Sequence, residues 1–538
     1  MAGDKASKGT EAAGHDEMRL GERIYREGIL PSGKPVEAVV KGDITVEGSM
    51  FSCQSCHMRG GLGSYEGGVY SPPTNGANLF KPLKFVYKGI VQEQVPPRRP
   101  AYTDATLAGV LRYGDDPAGR ILNDVMPRYT LEDRDMAILV SYLKSLSAQL
   151  SPGVTDAMLH FATVVSEDVK AEEREAMLGP LEKYIDNKNN LVSYFSTRAG
   201  FRSRRMAVSM LGSTELALRK MSLSRWTLKG PPETWRAQLE EYYRKEPVFA
   251  LIGGITSGEW QPVHRFCEDN RIPCLFPYTD YPVISGADWY TMYLSKGYYQ
   301  EGEGAARYLN GKKELTGGGR IVQLVRSSRE GRALAEGFQK TWQGLGNSAP
   351  KTIDIEAGKA ISAELLDEIC AREKPGVLLL WDDDRALTAL EILAAKGNRP
   401  VMVFVSSTYL GKRMRSIRMP ARDFTYITYP YSLPLEPRTS QAPPAMPRKV
   451  FKPGTTKIEN QNYAIIEVLN MALMKIKGNY YRDHFLDIID CIMDQEVPLY
   501  ERLSFGPGQR YASKGCYIVQ LSKGDNPELL RKSDWVIH

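Results

Sequence analysis

Residues 53 to 57 read Cys-Gln-Ser-Cys-His, which places two thiols three positions apart and an imidazole directly after the second. Haem is joined to a chain at this spacing through two thioethers, and the following histidine ligates the iron. A zinc site would need two more ligands nearby, yet the next cysteine is Cys267. A thioredoxin-type motif would need a strand before it and a helix after it, but glycines flank this one. The sequence therefore predicts one covalent haem c on Cys53 and Cys56, with His57 as an axial ligand.

The sixth position of the iron requires a second axial ligand, and Met126 is the best candidate. It lies in the segment Asn-Asp-Val-Met-Pro-Arg-Tyr, directly before apolar residues at helical spacing. The loop would carry the ligand and the helix would close the pocket. Met50 and Met58 are rivals, but they lie so close to the covalent attachment that reaching the opposite haem face is awkward. A six-coordinate iron of this kind transfers electrons and leaves no position for peroxide or oxygen.

Helical patterns over residues 20–28, 106–114 and 136–146 surround these candidate ligands. The order of helix, C-x-x-C-H, helix, Met-Pro loop and helix resembles class I cytochrome c. The resemblance implies an all-α cytochrome c domain at residues 16–150, preceded by a flexible N-terminus at residues 1–15.

One stretch departs from the family pattern. The segment between the first helix and the haem motif, residues 29–52, is longer than is usual in this family. We expect them to form a small hairpin over the haem edge or to shield it.

Length and composition limit the number of domains and the class of protein to which the rest of the chain can belong. At 538 residues it is too long for one ordinary domain, and 42% hydrophobic with 25% charged residues is a globular composition. No run of about 18 apolar residues predicts a transmembrane segment. The net charge of +6 is modest, and no basic stripe with interleaved aromatic residues argues for nucleic acid.

The expected location is the periplasm. Covalent haem attachment in the cytochrome c family takes place outside the cytoplasm, as the resemblance implies. The first residues, Met-Ala-Gly-Asp-Lys, lack the apolar core of an export signal. We therefore expect a processed form from which the signal has been removed.

After residue 150 the sequence changes to short apolar runs that end in glycine or polar residues and mostly precede helical patterns. The runs cover residues 159–165, 248–252, 320–325, 377–380 and 401–405. Alternation of this kind is the signature of parallel sheets covered by helices on both faces. Open sheets of this type bind ligands outside the carboxyl ends of their strands.

The segments 250–258, 271–280, 300–309 and 505–509 resemble the type I periplasmic solute-binding proteins, in particular the branched-chain amino acid and amide group associated with ABC transporters. The resemblance spans residues 156–538. It implies a two-lobed α/β fold with Rossmann-like lobes, hinged near residues 290–318 and again in the C-terminal part.

The same resemblance implies a ligand site between the lobes. The first lobe would contribute Ile255, Thr256, Ser257, Tyr278, Thr279 and Asp280, and the second lobe would contribute Ser327, Ser328, Trp381, Asp382 and Ser406. Free amides and hydroxyls suit a carboxylate, and Asp382 could pair with an ammonium group. A simple amino acid is a poor candidate for the ligand, because Asp280 lies beside the anion site and three aspartates occupy positions 382–384. Each residue could instead serve as a helix cap or a turn.

The five cysteines outside the haem motif could include disulfides. Cys267 with Cys274 and Cys491 with Cys516 are conceivable pairs, with buried thiols as the alternative.

Two functional classes follow from these observations. In the first, the chain is a periplasmic electron carrier whose second domain binds a small molecule or docks a redox partner. In one form of this class, the chain is the electron-accepting subunit of a periplasmic dehydrogenase. In the second, it is a sensor in which ligand closure alters the haem. The sequence contains no H-E-x-x-H, nucleophile elbow or P-loop. An enzyme that oxidises its bound ligand through the haem ranks third, because a methionine at the sixth position of the iron disfavours catalysis.

Overall fold

The computed structural model describes residues 16–40, 44–83, 98–197, 219–312, 319–433, 456–497 and 499–537. The predicted tail at residues 1–15 lies outside this range. The described chain divides into two compact units. The first comprises the residues up to Ala157, together with Arg219 and the late segment Ala472–Ile489. The second comprises the remaining described residues from Met158 onward.

The first unit combines short helices with two small antiparallel sheets. Its helices are 16–27, Cys53–His57, Gly76–Leu79, Asp104–Tyr113, Asp133–Ser145 and, except for its last residue, Arg482–Asp490. Its strands are β1 (Glu37–Val40), β2 (Ile44–Glu47), β3 (Ser64–Glu66), β4 (Val69–Ser71) and β5 (Arg128–Thr130). One sheet has the order β2-β1-β5, and β3 pairs with β4.

These strands correct the expectation of an all-α unit. The segments that form β1 and β2 are rich in β-branched residues, which favour extended backbone. Their antiparallel pairing lies within residues 29–52, where we expected a hairpin. The predicted helices are confirmed at 16–27, Asp104–Tyr113 and Asp133–Ser145.

Close helix packing forms the core of the first unit. The Asp133–Ser145 helix buries Met136, Leu139 and Leu143. Gly21 permits the approach of helix 16–27, because a Cβ atom there would lie 2.5 Å from Cβ of Tyr142. The apolar faces that the sequence predicted are therefore the faces that pack together.

The second unit contains two sheets, each the centre of one lobe. In the first lobe, β6 (Met158–Ser166), β7 (Lys220–Leu228), β8 (Ala250–Ile252), β9 (Cys274–Leu275) and β10 (Thr291–Met292) are all parallel, in the order β10-β9-β8-β6-β7. The helices Ala171–Thr197, Trp235–Lys245 and Gln261–Asp269 connect them, with a 3₁₀ turn at Pro232–Thr234.

The second lobe is built on a mixed sheet. Its strands are β11 (Arg320–Arg326), β12 (Lys351–Ile355), β13 (Pro375–Trp381), β14 (Met402–Ser406), β15 (Thr425–Tyr429), β16 (Gly515–Leu521), β17 (Leu529–Arg531) and β18 (Val536–Ile537). The order is β12-β11-β13-β14-β15-β16-β17, with β18 paired to β16. The first five strands in that order are parallel, and the last three strands run antiparallel to their neighbours.

Besides Arg482–Asp490, the helices that follow β10 in the sequence are Tyr298–Asn310, Arg329–Gly344, Ala363–Glu373, Leu387–Leu393, Ser407–Leu410 and Lys457–Lys475, with 3₁₀ turns at Asp384–Ala386, Gly411–Ser416 and Ala421–Asp423. The two-lobed α/β fold is confirmed. The chain changes sheets between β10 and β11, within the predicted hinge at 290–318, of which residues 313–318 lie outside the described range. The five strand runs predicted from the sequence are all present, as β6, β8, β11, β13 and β14, whereas the other strands of the two lobes were not predicted.

Two further observations concern the described residues only. None of their helices is both long and apolar enough to cross a membrane. No disulfide bond joins any pair of cysteines, and Cys267, Cys274 and Cys516 are buried.

Candidate functional site

A cavity in the first unit brings the predicted haem ligands together. We call it the cysteine cavity. It has a volume of about 870 Å³, is open to solvent, and is lined by Tyr25, Phe51, Ser52, Cys53, Cys56, His57, Val69, Tyr70, Ser71, Pro72, Thr74, Leu111, Leu122, Asn123, Val125, Met126, Pro127, Tyr129 and Leu143. Most of these side chains are apolar or aromatic. Both cysteines, the histidine and the candidate methionine thus face one space.

The short Cys53–His57 helix sets the direction of the motif. His57 is buried, and its Nδ1 lies 2.7 Å from the carbonyl oxygen of Pro72. A carbonyl can only accept, so Nδ1 carries the proton and Nε2 is the nitrogen available to a metal. The hydroxyl of Ser64 donates to the Cys56 carbonyl at 2.7 Å and fixes the end of the helix.

Burial governs the protonation of these groups. It raises the pKa of the Cys53 thiol to about 12 and also raises the pKa of Cys56. Burial lowers the pKa of His57, which favours its neutral form. The cavity therefore presents two neutral thiols and a neutral imidazole.

Met126 is held by the loop that carries it. Its N–H donates to the Asn123 carbonyl at 3.0 Å, and the Arg128 guanidinium donates to the carbonyls of Met126 and Leu122 at 2.5 and 2.8 Å. Sequence reasoning missed Arg128 because a lone arginine after Met-Pro gives no signal. Neither rival methionine lines the cavity. Two thiols, an imidazole nitrogen and a thioether are the donor set that a haem would use.

Two carboxylates from the Arg482–Asp490 helix clamp the residues that follow His57. Asp487 accepts the backbone N–H of Arg59 at 3.1 Å and that of Gly60 at 2.7 Å. Asp483 accepts from the side chains of Arg59 at 3.2 Å and Arg26 at 2.7 Å. Nothing in the local sequence indicated this clamp.

Gly60 permits that contact. A Cβ atom there would lie 2.8 Å from the backbone nitrogen of His484. A larger residue would therefore push the late helix away from the haem motif.

The described residues contain no group of three or more His, Cys, Asp or Glu side chains arranged to hold a bare metal ion.

A second cavity lies in the second unit, where β8 and β9 end. We call it the lobe cavity. Its volume is about 1230 Å³, and it is lined by Glu172, Glu173, Ala176, Ile255, Thr256, Ser257, Gly258, Tyr278, Thr279, Asp280, Tyr281, Thr456, Lys457, Ile458 and Gln461. All six residues predicted from the first lobe are among them. Isolated parallel bridges from Val165 to Ile255 and from Ile255 to Tyr278 extend the sheet into the cavity wall.

Sequence reasoning missed the start of the Lys457–Lys475 helix, which closes one side of the lobe cavity. Nζ of Lys457 lies 2.6 Å from Oδ1 of Asp280, and Gln461 donates to the Tyr500 hydroxyl at 2.8 Å. A proline-rich segment precedes this helix and carries no signal for a ligand site.

Tyr281 connects the two lobes at the edge of the lobe cavity. Its hydroxyl donates to Glu330, and its ring lies under the Arg329 guanidinium at 4.0 Å. Burial raises the pKa of Tyr281, as does its hydrogen bond to Glu330, so the phenol stays protonated.

The five residues predicted from the second lobe do not line the lobe cavity. Trp381 is fully buried, and its Nε1 donates to Gln323 at 3.0 Å. Ser328 and Ser406 cap helices, because their hydroxyls accept the N–H of Gly331 at 3.2 Å and of Tyr409 at 3.0 Å. The N–H of Ser327 donates to the carbonyl oxygen of Ile355 at 2.7 Å.

Asp382 is also engaged within the protein. It forms a two-point ion pair with Arg326, with nitrogen to oxygen distances of 2.7 and 2.6 Å, and both side chains are almost completely buried. A ligand ammonium at Asp382 would have to replace this arginine. The structure therefore brings together the predicted residues of the first lobe and leaves those of the second apart.

Asp382→Ala should destabilise the second unit. The substitution leaves the Arg326 charge buried without its carboxylate, which typically costs about 3 to 5 kcal/mol. Chemical denaturation should show this loss in the free energy of unfolding. Asp383→Ala is the control, because its partner Arg385 is about half exposed, with 48% of its side chain accessible. Equal stability of the two variants would contradict the prediction.

Comparisons with known proteins identify the family. The sequence model of the periplasmic binding protein family matches residues 228–525, which is more than half of the chain. No curated relative matches the chain.

Solved structures with a related fold include a candidate branched-chain amino acid ABC transporter protein from Rhodospirillum rubrum, at 14% identity and a TM-score of 0.47, covering 71% of this chain and 100% of that one. Another is an ABC transporter solute-binding protein from R. palustris in complex with benzoate. It has 15% identity and a TM-score of 0.43, and the match covers 71% of this chain and 98% of that one. A leucine-binding protein from Thermotoga maritima matches at 10% identity and a TM-score of 0.43. This match covers 70% of this chain and 99% of that one.

The family assignment rests on the sequence model rather than on these distant likenesses. It agrees with the two lobes, with their parallel strands, and with a cavity at the carboxyl ends of β8 and β9. Proteins of this family typically act in the periplasm or outside the cell, and they bind solutes. The chain belongs to the periplasmic binding protein family.

Proposed function

We propose that this solute-binding protein carries one covalent haem c, acts in the periplasm, and passes electrons through the haem to or from a periplasmic redox protein. Its second unit binds a small molecule through the lobe cavity. One observation carries the haem proposal: Cys53, Cys56, His57 and Met126 all line the cysteine cavity.

The cysteine cavity fits this group. Its walls are mostly apolar, as a porphyrin requires, and its few polar groups are the donors that attachment and ligation need. When bound, the haem would supply one-electron transfer at its iron.

The protein's own residues hold the ligands in place. The hydrogen bond from Nδ1 of His57 to the Pro72 carbonyl orients the imidazole and increases its basicity. Arg128 fixes the loop of Met126 through two carbonyls. Tyr129 donates to the Phe51 carbonyl at 2.9 Å and closes the wall between the two ligand segments.

Met126→Ala tests the sixth ligand. The ferric wild-type protein should show the weak near-infrared sulfur-to-iron band of a haem with methionine and histidine ligands, and the variant should lose this band. The variant should also bind cyanide, and its ferrous form should bind carbon monoxide, because the sixth position is then open. Optical spectroscopy measures both effects.

Met50→Ala is the matched control. Met50 is 72% exposed and does not line the cysteine cavity, so the spectrum of this variant should not change. An unaltered spectrum in Met126→Ala would eliminate Met126 as the ligand.

A further inference from the structure

The N–H and the hydroxyl of Ser257, which would hold a carboxylate in the lobe cavity, are already occupied. The N–H of Ser257 donates to Oγ of Ser166 at 3.1 Å, and the Ser257 hydroxyl donates to the Asp168 carboxylate. Hydrogen bonds from Ser257 and Ser166 lower the pKa of Asp168, so this neighbour is ionised. An entering anion would have to break these bonds and approach a carboxylate.

Two more polar groups of the wall are used in the same way. Oγ1 of Thr279 accepts the N–H of Tyr281 at 3.0 Å. The Tyr278 hydroxyl donates to Oδ1 of Asn462, which is buried. These bonds occupy the N–H of Tyr281 and the hydroxyl of Tyr278.

The charged side chains that line the lobe cavity also favour a cationic ligand over an anionic one. Three carboxylates line the lobe cavity, those of Glu172, Glu173 and Asp280, against the single ammonium of Lys457. That ammonium is paired with Asp280, and both side chains are about one third exposed. Subtracting one cation from three anions leaves two carboxylates in excess, with Asp168 adjacent to them.

The remaining wall suits an organic cation. The ring of Tyr281 lies under the Arg329 guanidinium at 4.0 Å, so an aromatic ring and a cation are already in contact at the edge of the cavity. Ile255 and Ile458 add apolar surface for a hydrocarbon body.

We propose that the lobe cavity binds an organic amine in its cationic form, attracted by the carboxylates of Glu172, Glu173 and Asp280, which outnumber the single ammonium of Lys457. This inference rests on the proposed solute-binding function and names its ligand class. It replaces the carboxylate expected from the sequence.

Calorimetric titration of the full-length protein with matched compounds tests the ligand class. Benzylamine, benzyl alcohol and benzoate share one skeleton and differ in charge, and cadaverine and glutarate form a second matched set. At neutral pH and low ionic strength, each amine should bind at least about tenfold more tightly than its carboxylate counterpart. Added salt should weaken amine binding.

Two substitutions that change the charge of the lobe cavity lining test the role of electrostatics in ligand binding. Asp280→Asn removes one carboxylate and leaves Lys457 without its partner, so amine affinity should fall about tenfold while benzoate affinity rises. Lys457→Gln removes the ammonium and should leave amine binding as tight as in the wild type or tighter. Asp269→Asn is the control, since it removes an exposed partner of Arg236 on the same lobe and should leave every affinity unchanged.

The outcomes separate the inference from the proposed function. Tighter binding of benzoate or glutarate to the wild type would overturn the amine assignment and leave solute binding in place. Binding of amines with equal affinity to wild type, Asp280→Asn and Lys457→Gln would also overturn it, because the charges of the wall would then have no role. If no compound in either set binds, both the amine assignment and solute binding by this cavity fail.

Discussion

Replacing Cys53 and Cys56 together with alanine should abolish covalently bound haem completely. Both thiols border the cysteine cavity, and each thioether requires one of them. The mass of the denatured protein should fall by one haem, and haem staining after denaturing electrophoresis should disappear. Either single variant should retain one thioether and some staining.

Cys491→Ala is the control for this pair, because Cys491 is an exposed cysteine of the second unit. Its mass and staining should match the wild type. The second unit should remain folded in the double variant, since it has its own core. Covalent haem in the double variant, or none in wild-type protein made with haem-attachment machinery, would refute the proposed function.

Asp487→Ala should destabilise the first unit by about 2 to 6 kcal/mol. The buried carboxylate accepts two backbone N–H groups, those of Arg59 and Gly60, and a buried donor without an acceptor costs about 1 to 3 kcal/mol. Asp487→Asn keeps one oxygen and should lose less. Denaturant unfolding measures the stability, and hydrogen exchange at the Gly60 amide should accelerate.

Asp133→Ala is the matched control within the same unit. Asp133 pairs with Arg112 at 2.7 Å, but its side chain is 97% exposed, so the loss should stay below about 1 kcal/mol. If Asp487→Ala is as stable as this control, the carboxylate clamp has no energetic role.

Local patterns in the sequence predicted the parts of the molecule that depend on local chemistry. The spacing of Cys53, Cys56 and His57, the helix around Leu139 and the buried strands each depend on residues a few positions apart. The first-lobe residues such as Asp280 came from the resemblance to the type I periplasmic solute-binding proteins, and they lie where strands of a parallel sheet end.

The sequence could not separate ligand contacts from internal contacts. Asp382 and Ser406 also follow buried strands, yet one pairs with Arg326 and the other caps a helix. The same residue types satisfy both roles, and only the position of a partner distinguishes them. Lys457 was missed for the opposite reason, because its partner Asp280 lies 177 positions away along the chain.

The return of Ala472–Ile489 into the first unit sets an order of events during synthesis. Asp487 contacts residues that precede it by 428 and 427 positions. A chain that is made from its N-terminus therefore contains Cys53, Cys56 and His57 long before the carboxylate that clamps the residues after His57 is made. During that interval the backbone N–H groups of Arg59 and Gly60 lack the carboxylate that accepts them in the folded unit. The first unit therefore cannot be completed until residue 489 has been made, after most of the second unit.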